Sequence, residues 1–313
     1  MSAAAPLRIG TRGSALALAQ ARAVARLLGV ATELVPITTT GDIDRSSGDK
    51  SRWVGALEAA LMAGEIDLAV HSAKDVPGEL APGTALVAAP RRADPLDVLV
   101  GERQLTHVRE GARVGTSALR RRAQLLAERP DLDVVELRGN VDTRLRKRAA
   151  GEVDVLVLAA AGLDRLDRRR EAGGTLVGTV FVPAPGQGTI AVQAREGSPA
   201  ADVAFASGHA ATLARLRGER AAVRELAASC HTPVGIHACA DTIRGFAGLP
   251  DGSAWLVDEV AMGAGEVRGD SGAGADEARG DGAFKAAGAA LARRMLAAGA
   301  GDLLRDAEAM AAQ

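Results

Sequence analysis

A chain of 313 residues, 47% hydrophobic and 25% charged, is long enough for two or three domains with real cores. Its formal net charge of −1 argues against a general nucleic-acid binder, and an aromatic content of 2% with no tyrosine counts against single-strand binding by stacking. The two cysteines, Cys230 and Cys239, make neither a disulfide framework nor a zinc site, and the five histidines lack ligand spacing. No run of about 18 apolar residues occurs, and MSAAAPLRIG does not read as a leader, so a soluble cytoplasmic protein with no membrane partner is expected.

Leu7–Gly10 is a short apolar strand followed at once by TRGSALALAQARAVARLLG, in which Ala17, Ala21, Val24 and Leu28 recur at helical spacing. Ser14 suits the N-cap and Gly29 the stop, which places Arg12 in a strand-to-helix turn where an anion would sit. Capping alone explains Ser14 as well as anion binding does. Glu33–Thr39 reads as a strand, TTTGDIDRSSGDKSRW as a mobile loop, Val54–Ala63 as a helix and Asp67–Val70 as a strand. The last of these exits into HSAKDVPGELAPG, so Lys74 and Asp75 emerge at a strand end, either as a surface ion pair or as functional groups. His71 reads as a structural hydrogen-bonding residue. Thr84–Ala89 is a further strand, and ADPLDVLV leads into a second unit.

From Ala112 to Gly162 the apolar runs Arg113–Gly115, Val134–Leu137 and Val153–Ala159 alternate with helical patterns, as in a β-α-β-α-β unit. Arg120 and Arg121 fall in the first turn of the first helix, Arg138 closes the second strand, and Arg144 opens the next helix. Right-handed crossovers gather strand C-termini and helix N-termini on one edge, so these four cations are expected to form a polyanion lip. Arg122, Arg129, Arg146 and Arg148 are left as ordinary solvated arginines; the plainer alternative is that the whole run is a solvated basic face. Beyond Phe181, VPAPGQGTIAVQAREG places Gln187 in a tight turn, and Thr189–Gln193 is a strand able to rejoin the first unit, so the chain would cross twice.

After Ala210 the pattern changes. ATLARLRGERAAVRELAAS is an amphipathic helix, and CHTPVGIHACADTIRGFAGLPDGSAWLVDEVAMG alternates like antiparallel strands around PDG. Glu266–Ala283 reads as a solvated loop, and Ala287–Ala298 and Asp302–Ala312 as closing helices. Cys230 lies in a Gly/Pro loop rather than on an apolar face, whereas Cys239 sits in a period-2 strand and reads as structural. The fold class is therefore α/β: two doubly wound, periplasmic-binding-protein-like domains with a double crossover (1–96 plus 189–208, and 98–182), followed by a C-terminal α+β domain, 210–313. Two functions suit that plan: a non-catalytic two-domain binder of a polycarboxylate, or an enzyme using Asp75 among cations.

TRGSALALAQ, AVHSAKDVP, GTSALRR, LRGNVDTR, LAAAGLDRL, PAPGQG and SCHTPVG occur in the order and spacing of the porphobilinogen deaminase (hydroxymethylbilane synthase) family, and the chain resembles it over nearly its whole length. The resemblance implies a transferase that joins four porphobilinogen molecules head to tail with loss of ammonia. It also implies a covalent dipyrromethane cofactor on the residue matching Cys230, with Lys74, Ser117, Arg120 and Arg121 around it, and Asp75 as the catalytic carboxylate. Arg12, Ser14, Arg138, Arg144, Arg165 and Gln187 match the family's substrate-holding residues. A monomer is implied, with product passing to uroporphyrinogen-III synthase. Arginine forks suit such ligands because each pyrrole carries two carboxylates. The departures are Ala228-Ser229 where Gly-Gly usually precedes the cysteine, Ala118 for a frequent serine and Trp53 for a common phenylalanine. The shortened Gly41–Arg52 loop, a candidate lid, keeps one matching lysine, Lys50.

Overall fold

The strands form three sheets in the computed structural model, which describes residues 5–39, 51–229, 232–262 and 275–311. The first sheet is built from β1 (Leu7–Arg12), β2 (Thr32–Ile37), β3 (Leu68–Ser72) and β4 (Thr84–Ala88), with α1 (Ala15–Leu28) and α2 (Ser51–Met62) in the crossovers. β1 pairs in parallel with both β2 and β3. The local code of α1 is complete: Ser14 Oγ accepts from the Ala17 amide at 3.2 Å, Gly29 ends the helix at φ 65°, and Ala17, Ala21, Val24 and Leu28 are buried.

The second sheet begins with β5 (Asp97–Val100) and β6 (Arg113–Thr116). The helix α3 (Leu119–Glu128), β7 (Asp133–Glu136), α4 (Val141–Ala149), β8 (Val155–Ala159) and α5 (Ala160–Arg165) follow, in strand order β5-β8-β6-β7. β6 is parallel to β7 and β8, as the alternating pattern predicts, but β5 runs antiparallel to β8. β9 (Ile190–Arg195) then returns to the first sheet, antiparallel between β3 and β4. Its residues from Ile190 to Ala194 are all buried, as a strand covered on both faces must be.

Two helices follow, α6 (Pro199–Ser207) and α7 (Ala210–Glu225), and then an antiparallel sheet of β10 (Val234–Ala238), β11 (Thr242–Gly248) and β12 (Trp255–Ala261). The PDG turn between β11 and β12 needs its glycine twice over: Gly252 has φ 75°, and a Cβ there would lie 2.4 Å from the Ala127 amide nitrogen. The closing helices are α8 (Ala275–Ala297) and α9 (Ala300–Ala311).

By compactness the chain divides into Met1–Ala93 with Thr189–Leu213, and Asp94–Gly188 with Ala214–Gln313. The second unit holds both the four-stranded and the three-stranded sheets. A small core of Ala123, Val180, Val182 and Phe246 joins them there. Glu219 of α7 adds a polar joint inside that unit. It is fully buried and accepts from the amides of Gly186 at 2.6 Å and Ala238 at 2.8 Å.

Several expectations change. Residues 275–283, read as loop, belong to α8: Asp281 pairs with Lys285 one turn on and with Arg217 of α7, contacts invisible to a composition argument. α6 has no counterpart in the helical periodicity of the sequence, although Ser198 capping the Ala201 amide with Pro199 in the first turn is the ordinary start signal. Cys239 is exposed just beyond the end of β10, so its structural burial is corrected. Arg129 is not simply solvated: it pairs with Asp131 and donates to the carbonyls of Leu105 and Val108. Among the described residues no helix is long and apolar enough to cross a membrane.

Candidate active site

Parallel strands deliver their C-termini to one edge of a sheet, and in the first unit that rule gathers a small site. Arg12 ends β1, and β3 runs into a 3-10 turn, Ala73–Asp75, which presents Lys74 and Asp75, both half-buried. The Ala73 amide donates to the Thr189 carbonyl at 3.0 Å, fixing the turn against the segment that leads into β9. Arg12, Trp53, Val54, His71, Ser72 and Asp75 line one recess. The Arg12 guanidinium lies over the Trp53 indole, 3.8 Å from the ring centroid, a cation–π contact that orients the fork. Ser14 caps α1 at the same edge.

His71 floors this recess and is buried. Gln193 donates its amide to Glu58 at 2.8 Å and Thr84 at 2.7 Å, so its carbonyl oxygen faces His71 Nε2 at 3.0 Å and that nitrogen carries the hydrogen. Burial, only partly opposed by the Gln193 bond and by Glu58 and Asp75, pushes the imidazole down to about 4. His71 is therefore neutral and structural, as the sequence suggests. As pH falls from 6.5 towards 4 the unfolded chain takes up a proton that the folded chain refuses, so stability declines across that window. At 1.36 kcal/mol per unit the total is about 3 kcal/mol. Urea unfolding of wild type against His71→Asn between pH 4 and 7 should show the slope flattened in the variant; equal slopes would refute the assignment.

In the second unit the same edge rule brings together Ser117 after β6, Arg120 and Arg121 in the first turn of α3, Arg138 after β7 and Arg144 in the first turn of α4. Arg144 donates to Ser117 Oγ at 2.7 Å, and Arg138, exposed, pairs with Glu136 at 2.7 Å. Asn140 caps α4 through the Thr143 amide at 2.8 Å. Ala118, at the N-cap of α3, supplies no side-chain acceptor.

Arg120 and Arg121 do not project from this edge as the lip reading expects. Each is 5% exposed, and both reach Asp97, at 2.7 Å from Arg120 and 2.8 Å from Arg121. Burial works to raise the Asp97 carboxyl, but the two guanidiniums outweigh it and hold the group far below the usual carboxylate range. Gln187 is buried as well, donating to Asp97 at 2.9 Å and to the Pro95 carbonyl at 2.7 Å. Arg165, at the C-terminus of α5, donates to the Gly188 carbonyl at 2.6 Å, and burial, opposed by Asp164, lowers it to about 10. Sequence reasoning missed Asp97. The available signal was an acidic residue at the start of an otherwise apolar strand. Cys230 and the Gly41–Lys50 part of the candidate lid lie outside the described residues.

The donor set suits a ligand with several carboxylates: arginine forks on a strand-end edge in each unit, a helix start with no capping side chain, and two guanidiniums against one carboxylate. In an α/β chain of this plan a single carboxylate, Asp75, shares the recess of the first unit with one arginine, Arg12. A family model described as "Porphobilinogen deaminase, dipyromethane cofactor binding domain" matches residues 7–202. The chain is 46% identical over 269 residues to a porphobilinogen deaminase of Leifsonia xyli, covering 80% of this chain and 82% of that protein. It is 48% identical to one of Syntrophotalea carbinolica (74% and 78% covered) and 44% identical to one of Thermus thermophilus (80% and 88% covered). The chain belongs to the porphobilinogen deaminase family.

Proposed function

We propose that Asp75 is the carboxylate at the reacting pyrrole and that the arginines of both units hold the acetate and propionate side chains of substrate and product. The chain is a transferase of tetrapyrrole biosynthesis that condenses four porphobilinogen molecules into hydroxymethylbilane with release of ammonia, using a dipyrromethane cofactor. When bound, that cofactor supplies the nucleophilic pyrrole carbon from which the chain grows, and Cys230 is its attachment point in this reading.

Loss of ammonia from the aminomethyl group of porphobilinogen leaves a cationic pyrrole. A half-buried carboxylate stabilises such a cation and accepts from pyrrole N–H groups without reorganising. That Asp75 lies in the turn after β3, with neutral His71 beside it adding no competing positive charge, supports this role. Arg12, held over Trp53, binds a carboxylate of the same ring. Ser14 and Lys74 line the same edge. Ser117, Arg138, Arg144, Arg120 and Arg121 grip carboxylates from the second unit, and Arg165 and Gln187 support the turn at Gly188. Three domains share this chemistry: 1–96 with 189–208, 98–182, and 210–313. The protein acts as a cytoplasmic monomer and hands its product to uroporphyrinogen-III synthase.

The observation that carries this reading is the shared recess of Asp75 and Arg12 in a chain of this family. The deciding experiment is the intact mass of the denatured full chain from cells that make porphobilinogen. An excess of two pyrrole units is expected, absent from Cys230→Ser, whose activity should fall to background. A wild-type mass equal to the bare chain would refute the reading, and an unchanged adduct on Cys230→Ser would move the attachment elsewhere.

A further inference from the structure

Asp97 is the first residue of β5. Because β5 is antiparallel to β8, Asp97 sits opposite Ala159 and is delivered to the strand-end edge where the arginine-bearing helices begin. Its side chain is 6% exposed and takes Arg120 on one oxygen and Arg121 and Gln187 on the other. Further bonds of the two guanidiniums run to Gln124 and to the carbonyls of Val182 and Val157.

Among the described residues Asp97 is the one ion-pair partner of both arginines, so one negative charge faces two positive ones in a site largely closed to water. Burying an uncompensated cation is costly, and each guanidinium has five N–H groups, of which these bonds engage only part. The cluster is one carboxylate short. We propose that Asp97 is a positioning residue: it fixes the forks of Arg120 and Arg121 and leaves their surplus charge to a pyrrole carboxylate. Through Gln187 it also ties that geometry to the PAPGQG turn from which the chain returns to the first unit. This inference rests on the functional reading above and assigns that site a residue outside the family resemblance.

The test compares wild type, Asp97→Glu and Asp97→Asn as full chains purified from cells that make porphobilinogen. The readouts are urea midpoint, primer occupancy by intact mass, and kcat and KM for porphobilinogen. Asp97→Glu keeps the charge balance and moves the carboxylate by about one bond. A shift of that order in a binding group costs roughly 100-fold, so kcat/KM should fall by about that factor, mainly through KM, with primer occupancy reduced. In an Arg121→Lys background, where the fork is gone, the same substitution should cost much less. If Asp97→Asn fails to fold, Asp97→Glu carries the test alone. A lowered urea midpoint with wild-type KM and occupancy, which is what a purely structural ion pair gives, overturns the proposal. Wild-type chain without the primer mass sinks the functional reading and this inference together. Wild-type chain with it, alongside an unaltered Asp97→Glu, sinks this inference alone.

Discussion

Asp75→Asn should leave the fold and the primer in place and lower kcat by roughly 10²–10³-fold, the usual cost of removing one preorganised electrostatic group from a reacting centre. The amide has the shape of the carboxylate and can still accept a hydrogen bond through its oxygen. It cannot offset the charge that develops when ammonia leaves, and the positive charge of Arg12, in the same recess, then weighs more heavily against it. Asp75 is only half-buried in a short turn, so the substitution creates no cavity, and the urea midpoint should stay within about 0.5 kcal/mol of wild type. Single-turnover rates, intact mass and urea titration on the same preparation check all three parts. Near-normal turnover would remove Asp75 from the mechanism.

The largest stability loss should come from Glu219→Ala. Glu219 is fully buried, and its two oxygens take the amides of Gly186 and Ala238, one in the turn before Gly188 and one in β10. Truncation orphans both donors at about 1–3 kcal/mol each and leaves a void, so a loss of about 3–5 kcal/mol is expected in urea unfolding. Glu219→Gln keeps one acceptor but sets an NH2 against the other amide, and should fall between. A loss below about 1 kcal/mol for the alanine variant would mean that water or a neighbour replaces the carboxylate. The effect bears on function because the Gly186 turn continues into Gln187, which holds Asp97.

Local signals were read well where one residue and its near neighbours decide the outcome. The Ser14 cap, the Gly29 stop and the apolar stripe of α1 need nothing beyond the helix and the face it buries. Strand ends were legible for the same reason, and they placed Arg12, Lys74, Asp75, Arg138 and Arg144 on the right edges. The signal failed where composition stood in for contact. The Gly- and Asp-rich residues 275–283 looked like part of a solvated loop, yet they open α8, where Asp281 finds Lys285 on its own helix and Arg217 on another.

The sequence by itself determined the family, through seven motifs in register, and with it the α/β plan and the reaction. It also determined which residues carry charge at the strand ends, because the periods of strand and helix are properties of consecutive residues. Only the tertiary structure decided what those charges meet. Arg120 and Arg121 look like free arms in GTSALRR; the antiparallel placement of β5 beside β8 sets Asp97 between them. A partner 23 residues away in the chain is chosen by strand order, and strand order is settled by how whole sheets bury their faces, which no local pattern records.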